Sequence, residues 1–146
     1  MLKQVIEIID LLDDSNVSGE NVKTFLSGRG LDNIIVEEVK GEKGKTDFIK
    51  IQVEGKNGKS SGGDAPTLGI IGRLGGIGAR PEMIGYVSDG DGAAAALACA
   101  LKLGDMKKKG DILDGDVIIT THICPNAPTQ HHEPVPFMSS PVDMQV

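Results

Sequence analysis

Residues 86–103 restrict the fold of this chain more than any other stretch. They read Tyr-Val-Ser-Asp-Gly-Asp-Gly and then Ala-Ala-Ala-Ala-Leu-Ala-Cys-Ala-Leu-Lys-Leu. Alanine and leucine are strong helix formers, so residues 93–103 predict a helix. That helix is apolar almost all round and has to be covered on several sides. Its small alanines suit close packing on a sheet. Tyr86 and Val87 read as the end of a strand and Asp91 as the N-cap. Asp89 then falls in a strand-to-helix crevice, the place where α/β proteins bind ligands. Two readings of the carboxylates follow. They cap the helix and complement its dipole, for about 0.3–1 kcal/mol each, or Asp89 ligates a metal. A helix-loop-helix calcium site fails, because its twelfth position is Ala100 rather than Glu.

Before this stretch the elements alternate. Leu2, Val5, Ile6, Ile9 and Leu12 recur at helical spacing, with Lys3, Glu7 and Asp10 opposite, so the chain opens on an amphipathic helix. Glu7 and Asp10 break what would be the apolar core of a signal peptide. Ser18 is a good N-cap for a second helix, with Val17 and Val22 as a hydrophobic staple and an end at Gly28 or Gly30. Residues 33–40 and 47–54 predict strands joined at the Gly41-Glu42-Lys43-Gly44 turn, and the alternation of Ile49, Ile51 and Val53 with polar residues marks one wet face. Residues 55–66 are Gly-, Ser- and Lys-rich and predict an exposed, mobile loop. Residues 67–71 predict a short buried strand.

Glycine is dense over residues 72–78, which implies unusual backbone angles or the close approach of a ligand. Gly75 and Gly76 are therefore substrate-binding candidates. A dinucleotide fingerprint is not met, since Gly76-Ile77-Gly78 runs into Ala79-Arg80-Pro81. Arg73 and Arg80 flank the run and could offer fork donors to a carboxylate or phosphate, with Arg73 aimed at the same crevice as Asp89. After the central helix, Lys107, Lys108 and Lys109 suit a helix C-terminus. Residues 116–121 predict a buried strand that delivers His122 and Cys124 to its carboxyl end. Cys99, mid-helix among alanines, predicts a core position.

From residue 125 onward no apolar period remains, and prolines accumulate. His122, His131, His132 and Cys124 gather in this region, yet their spacing fits no zinc pattern. They are either candidate ligands and proton carriers or incidental residues of a proline-rich loop. The formal charge of −6 and an aromatic content of 3% argue against binding to nucleic acid or an anionic membrane surface. Two cysteines are too few for a disulfide framework and fit a cytoplasmic protein. No apolar run reaches the ~20 residues of a membrane span.

The order of these elements over residues 1–121, with Ser88-Asp89-Gly90-Asp91-Gly92, Lys108-Lys109-Gly110-Asp111, Gly115-Asp116-Val117-Ile118-Ile119 and the opening residues 14–22, resembles the core of zinc-dependent exopeptidases. It also looks like the first part of an uncharacterised bacterial family of longer proteins that shares this resemblance. The resemblance implies that Asp89 is a metal ligand, bridging two ions. It departs elsewhere. Arg73 and Gly75 stand where the family's His and Asp ligands fall, and Ile123-Cys124-Pro125 stands near the Glu-Glu pair of catalytic base and ligand. A guanidinium has no lone pair to give a cation, so the usual two-zinc centre cannot form.

The expectations are these. Residues 1–124 form an α/β domain with a mixed sheet flanked by helices, and residues 125–146 form a proline-rich tail that packs on a further segment or partner. The function is that of a divergent hydrolase acting on a peptide or amide, or a non-catalytic ligand-binding or assembly module of the same fold. Arg73, Gly75 and Gly76 bind substrate. His122 and His132 act in catalysis, and Asp89 and His122 hold a divalent metal, zinc or manganese. A small peptide-like ligand and a homo-oligomer or fold-completing chain are the expected partners.

Overall fold

The computed structural model describes residues 1–14, 16–78, 86, 90–134 and 136–143. Two helices come first, α1 (Leu2–Leu12) and α2 (Gly19–Ser27). Ser18 caps α2 as predicted. Its hydroxyl accepts from the Asn21 amide while the Asn21 side chain accepts from the Ser18 amide, a reciprocal capping box. Val17 and Val22 are buried beside it. Strands β1 (Asn33–Gly41) and β2 (Gly44–Val53) form the expected antiparallel hairpin, closed by Gly41 opposite Gly44. Strand β3 (Leu68–Gly72), helix α3 (Asp91–Lys108) and strand β4 (Val117–Ile123) follow.

The sheet runs β1-β2-β4-β3. β3 and β4 are parallel with α3 in the connection between them, while β1–β2 and β2–β4 are antiparallel, so the sheet is mixed. One face carries Ile34, Ile49, Ile51, Val117, Ile119 and Ile123 into a core shared with all three helices. On the other face Ile35, Lys50, Thr120 and Ile71 lie in one cross-strand row, and Ile35, Lys50 and Ile71 are exposed.

Several expectations change. α3 begins at Asp91 with Gly90 at the cap position, and it runs on through Lys108. Gly104 lies within it, where Leu31 and the Arg29 carbonyl approach the helix closely. Tyr86 lies in a bend rather than a strand, since the strand before α3 is β3. β3 is not buried. Among the described residues it is a sheet edge paired with β4 alone, and Leu68 and Ile71 are exposed. On α1 the buried side is Gln4, Ile8 and Leu12, and Leu2, Ile6 and Ile9 face out. The helix is apolar on two sides, and polar partners select one, with Gln4 Nε2 donating to Asp105 on α3 at 2.8 Å and Glu7 pairing with Arg29. Cys99 is only half-buried.

The loop after β2 is exposed but anchored. Asp116, just before β4, is 4% exposed, and its carboxylate accepts from the Gly55 amide at 2.9 Å, the Ser60 amide at 2.8 Å and the Ser60 hydroxyl at 2.7 Å. These bonds hold its carboxyl below the ordinary aspartate range. A Cβ on Gly58 would sit 1.9 Å from Asp116 Oδ1, so glycine is required where the loop closes on the carboxylate. Polar composition predicts exposure but cannot reveal a distant carboxylate that organises the loop.

Candidate functional site

The carboxyl ends of β3 and β4 lie side by side, next to the amino end of α3. Thr121 on β4 donates its hydroxyl to the Gly72 carbonyl at 2.9 Å. The glycine-rich run then continues alongside β4, with the Cys124 amide donating to the Gly75 carbonyl at 2.7 Å and the Ile77 amide to the Cys124 carbonyl at 3.2 Å. The close approach predicted for these glycines is to the chain's own backbone. A Cβ on Gly75 would fall 1.8 Å from the His122 carbonyl, and one on Gly92 would fall 1.2 Å from the Arg73 carbonyl. The left-handed residue in the run is Leu74, with φ 73°. Its carbonyl accepts from the Ala93 amide at 3.0 Å, satisfying an amide in the first turn of α3. A non-glycine residue in that region carries strain, and strain of this kind gathers at functional sites.

Against this junction lies a cavity of about 500 Å³. Phe48, Ile71, Leu74 and Met138 supply apolar walls, and Arg73, Thr120, Thr121, His122 and Asp143 supply polar groups. Gly75 and Gly76 also line it, as do residues 139–143. The described residues 126–134 and 136–143 therefore fold back on the preceding domain. They form β5 (Thr129–Gln130) paired with β6 (Phe137–Met138), and then pack Pro141 against the hairpin turn, where a Cβ on Gly41 would meet the Pro141 carbonyl at 2.3 Å.

His122 is positioned by strand register. It pairs with Phe48 on β2, and the two rings stack at 5.5 Å between centroids with an interplanar angle of 29°. Thr46, two residues along on the same face of β2, lies with its hydroxyl oxygen 3.0 Å from His122 Nδ1. That hydroxyl also donates to the Ile123 carbonyl at 2.9 Å. Burial lowers the pKa of His122, which favours the neutral imidazole. Cys124 is buried, and its thiol donates to the Lys45 carbonyl at 3.3 Å. Burial pushes the thiol up to about 11, so it stays protonated at neutral pH and is a poor nucleophile or ligand.

Of the residues expected from sequence, the structure brings Arg73, Gly75, Gly76 and His122 to one cavity. His132 lies exposed between β5 and β6, outside the cavity lining, and neighbouring His131 stands 3.9 Å from Glu133. Asp89 and Arg80 lie outside the described residues. Asp91 accepts from the Tyr86 hydroxyl at 3.2 Å, and burial, with this bond as the smaller cause, pushes the phenol up to about 12. Among the described residues no three His, Cys, Asp or Glu side chains group so as to hold a metal ion. Sequence reasoning missed Thr46 and Phe48. Only the β2–β4 register, a non-local pairing, reveals them.

The sequence over residues 37–146 matches a family of proteins of unknown function, DUF1177. The chain belongs to that family. Among curated proteins none matches it. Among solved structures it is similar to the bottromycin maturation enzyme BotP, with TM-score 0.51 and 18% identity, covering 86% of this chain and 30% of that one. It is similar also to a mutant of tomato leucine aminopeptidase, with TM-score 0.52 and 19% identity, covering 85% of this chain and 27% of that one. Over the matched part the chain shares the mixed α/β fold of these two proteins, the fold class expected from the sequence. The chain spans less than a third of the length of these two proteins.

Proposed function

We propose that the cavity at the carboxyl ends of β3 and β4 takes up a small peptide-like or amide ligand, and that the chain is a divergent, hydrolase-like member of its fold. One observation carries this reading. Arg73, the neutral imidazole of His122 and Asp143 share a mostly apolar cavity at a parallel strand junction. Arg73 offers fork-shaped donors to a ligand carboxylate. His122 offers a nitrogen able to accept a proton or a hydrogen bond. Phe48, Ile71 and Leu74 contact the apolar body of the ligand.

The residues present do not fit a two-metal centre. Arg73 and Gly75 occupy the positions at which the resemblance requires ligands, and Cys124 is a protonated thiol directed at a backbone carbonyl. No step of the proposal runs through a metal. The same substitutions favour a second reading, a ligand-binding module without turnover.

Calorimetric titration with a panel of dipeptides, amino-acid amides and anilides tests the proposal. Free-carboxylate ligands are expected to bind, and Arg73→Ala weakens them at least about tenfold, the scale of a charge-assisted pair. Amides lacking that carboxylate lose little in the same variant. His122→Ala weakens both classes. Failure of the whole panel to bind overturns the proposal. The same panel assayed for hydrolysis with added zinc, cobalt or manganese separates the readings. We expect no turnover on standard aminopeptidase or carboxypeptidase substrates. Turnover on the order of 1 s⁻¹ that His122→Ala abolishes establishes an enzyme.

A further inference from the structure

We infer that Thr46 is a positioning residue that fixes the tautomer of His122, keeping the proton on Nδ1 and presenting Nε2 to the cavity as the lone-pair nitrogen. The inference rests on reading His122 as a working group of the cavity, but it makes a claim of its own. A threonine hydroxyl has a single proton to donate. Thr46 Oγ1 lies 2.9 Å from the Ile123 carbonyl oxygen, which can only accept, and 3.0 Å from His122 Nδ1, which can do either. If the proton went to Nδ1, the hydroxyl and carbonyl oxygens would face each other at 2.9 Å with no hydrogen between them, buried and unfavourable. Both contacts are satisfied when the hydroxyl donates to Ile123 and accepts from Nδ1–H.

The surroundings make the arrangement rigid. Thr46 is 1% exposed, so no water competes for its hydroxyl. Phe48 stacks on the imidazole and restricts its rotation. The backbone of Gly75 closes the near side, since a Cβ there would lie 3.1 Å from Nδ1. Burial favours the neutral ring, so the nitrogen left without a proton is Nε2. A hydroxyl held by a backbone carbonyl therefore does here what a carboxylate or carbonyl does for other histidines. It chooses which nitrogen is basic without adding charge to the cavity.

The test is ¹⁵N NMR of ring-labelled histidine in the whole chain, without ligand, at neutral and mildly alkaline pH. Nδ1 should appear as the protonated nitrogen and Nε2 as the unprotonated one. The bias should reach up to about tenfold, which one hydrogen bond supports. Thr46→Ser keeps the hydroxyl and should retain that pattern, whereas Thr46→Val should lose the bias while Phe48 still stacks. A wild-type ring protonated on Nε2, or on both nitrogens, overturns the inference. So does a folded Thr46→Val with an unchanged tautomer ratio. Should Thr46→Val fail to fold, the wild-type spectrum and Thr46→Ser still decide. A wild-type ring of the opposite tautomer leaves the ligand proposal standing, and a ligand panel that fails leaves the tautomer assignment standing.

Discussion

Two polar residues bracket strand β4, Asp116 just before it and His122 near its carboxyl end, and they are used in opposite ways. At the amino end, Asp116 spends its carboxylate on the chain, accepting from the Gly55 amide and from both the amide and hydroxyl of Ser60. At the carboxyl end, His122 commits one nitrogen to Thr46 and lines the cavity with the rest of its ring. In each case a glycine makes room, Gly58 against the Asp116 carboxylate and Gly75 against the His122 backbone. Buried polar groups that are fully bonded hold structure, and those with capacity left beside a cavity are where ligands can act. A strand can therefore stabilise at one end and bind at the other.

Removing Asp116 should break the stabilising end and produce the largest effect. Asp116→Ala leaves the buried Gly55 amide and the part-buried Ser60 donors without their acceptor, and thermal unfolding should shift down more than for any change at the His122 ring. The pH dependence follows from the sign of its shift. The folded carboxyl titrates below its ordinary value of 3.8, so the unfolded chain binds more protons in that window. The stabilisation is complete above that value and disappears as pH falls through the folded pKa. Wild type should lose stability along this acid limb, and Asp116→Ala should start lower and fall less. Parallel acid limbs in the two proteins would show that the bonds to Gly55 and Ser60 do not hold the loop.

Gly75→Ala sharpens the comparison from the other end. The added methyl meets the His122 carbonyl, a backbone atom that cannot swing away, so a destabilisation of about 1–3 kcal/mol is expected in denaturant titrations. Ligand binding should fall as well, because His122 is displaced. Full stability with intact binding would mean that the strand junction is looser than described. The smallest effect concerns thiol reactivity. Iodoacetamide at pH 8 should label half-buried Cys99 ahead of Cys124, whose thiol is buried, bonded to the Lys45 carbonyl and pushed up to about 11. Mass spectrometry of native, labelled protein reads the order directly.

Most of the architecture was legible because its signals are local. The Ser18 cap, the β1–β2 hairpin and the alanine-rich core of α3 each depend on residues close in sequence. Burial was read less well where the sheet decides it. β3 is apolar in sequence yet forms an edge, and α1 has two apolar sides between which only its contacts with α3 and Arg29 choose. Of the cavity lining, Arg73, Gly75, Gly76 and His122 could be placed together from sequence because they flank strand ends beside a glycine run. Thr46 and Phe48 could not, since they meet His122 only through the β2–β4 register. His132 shows the converse. Proximity in sequence to His122 does not bring it to the cavity, because the chain turns away through β5 first.

The most direct test of the central claim, that the junction of β3, β4 and α3 is the working site, is a footprint of ligand on the folded chain. In ¹H–¹⁵N spectra of labelled protein titrated with the dipeptide or amide that binds best, shifts should concentrate at Gly72, Gly75, Gly76, Thr121 and His122, and at Met138 and Val142 across the cavity. The Gly55 and Ser60 amides held by Asp116, and the outward side of α1 at Leu2, Ile6 and Ile9, should stay still. Shifts confined to α1 or to the loop pinned by Asp116, with the strand junction unchanged, would contradict the account.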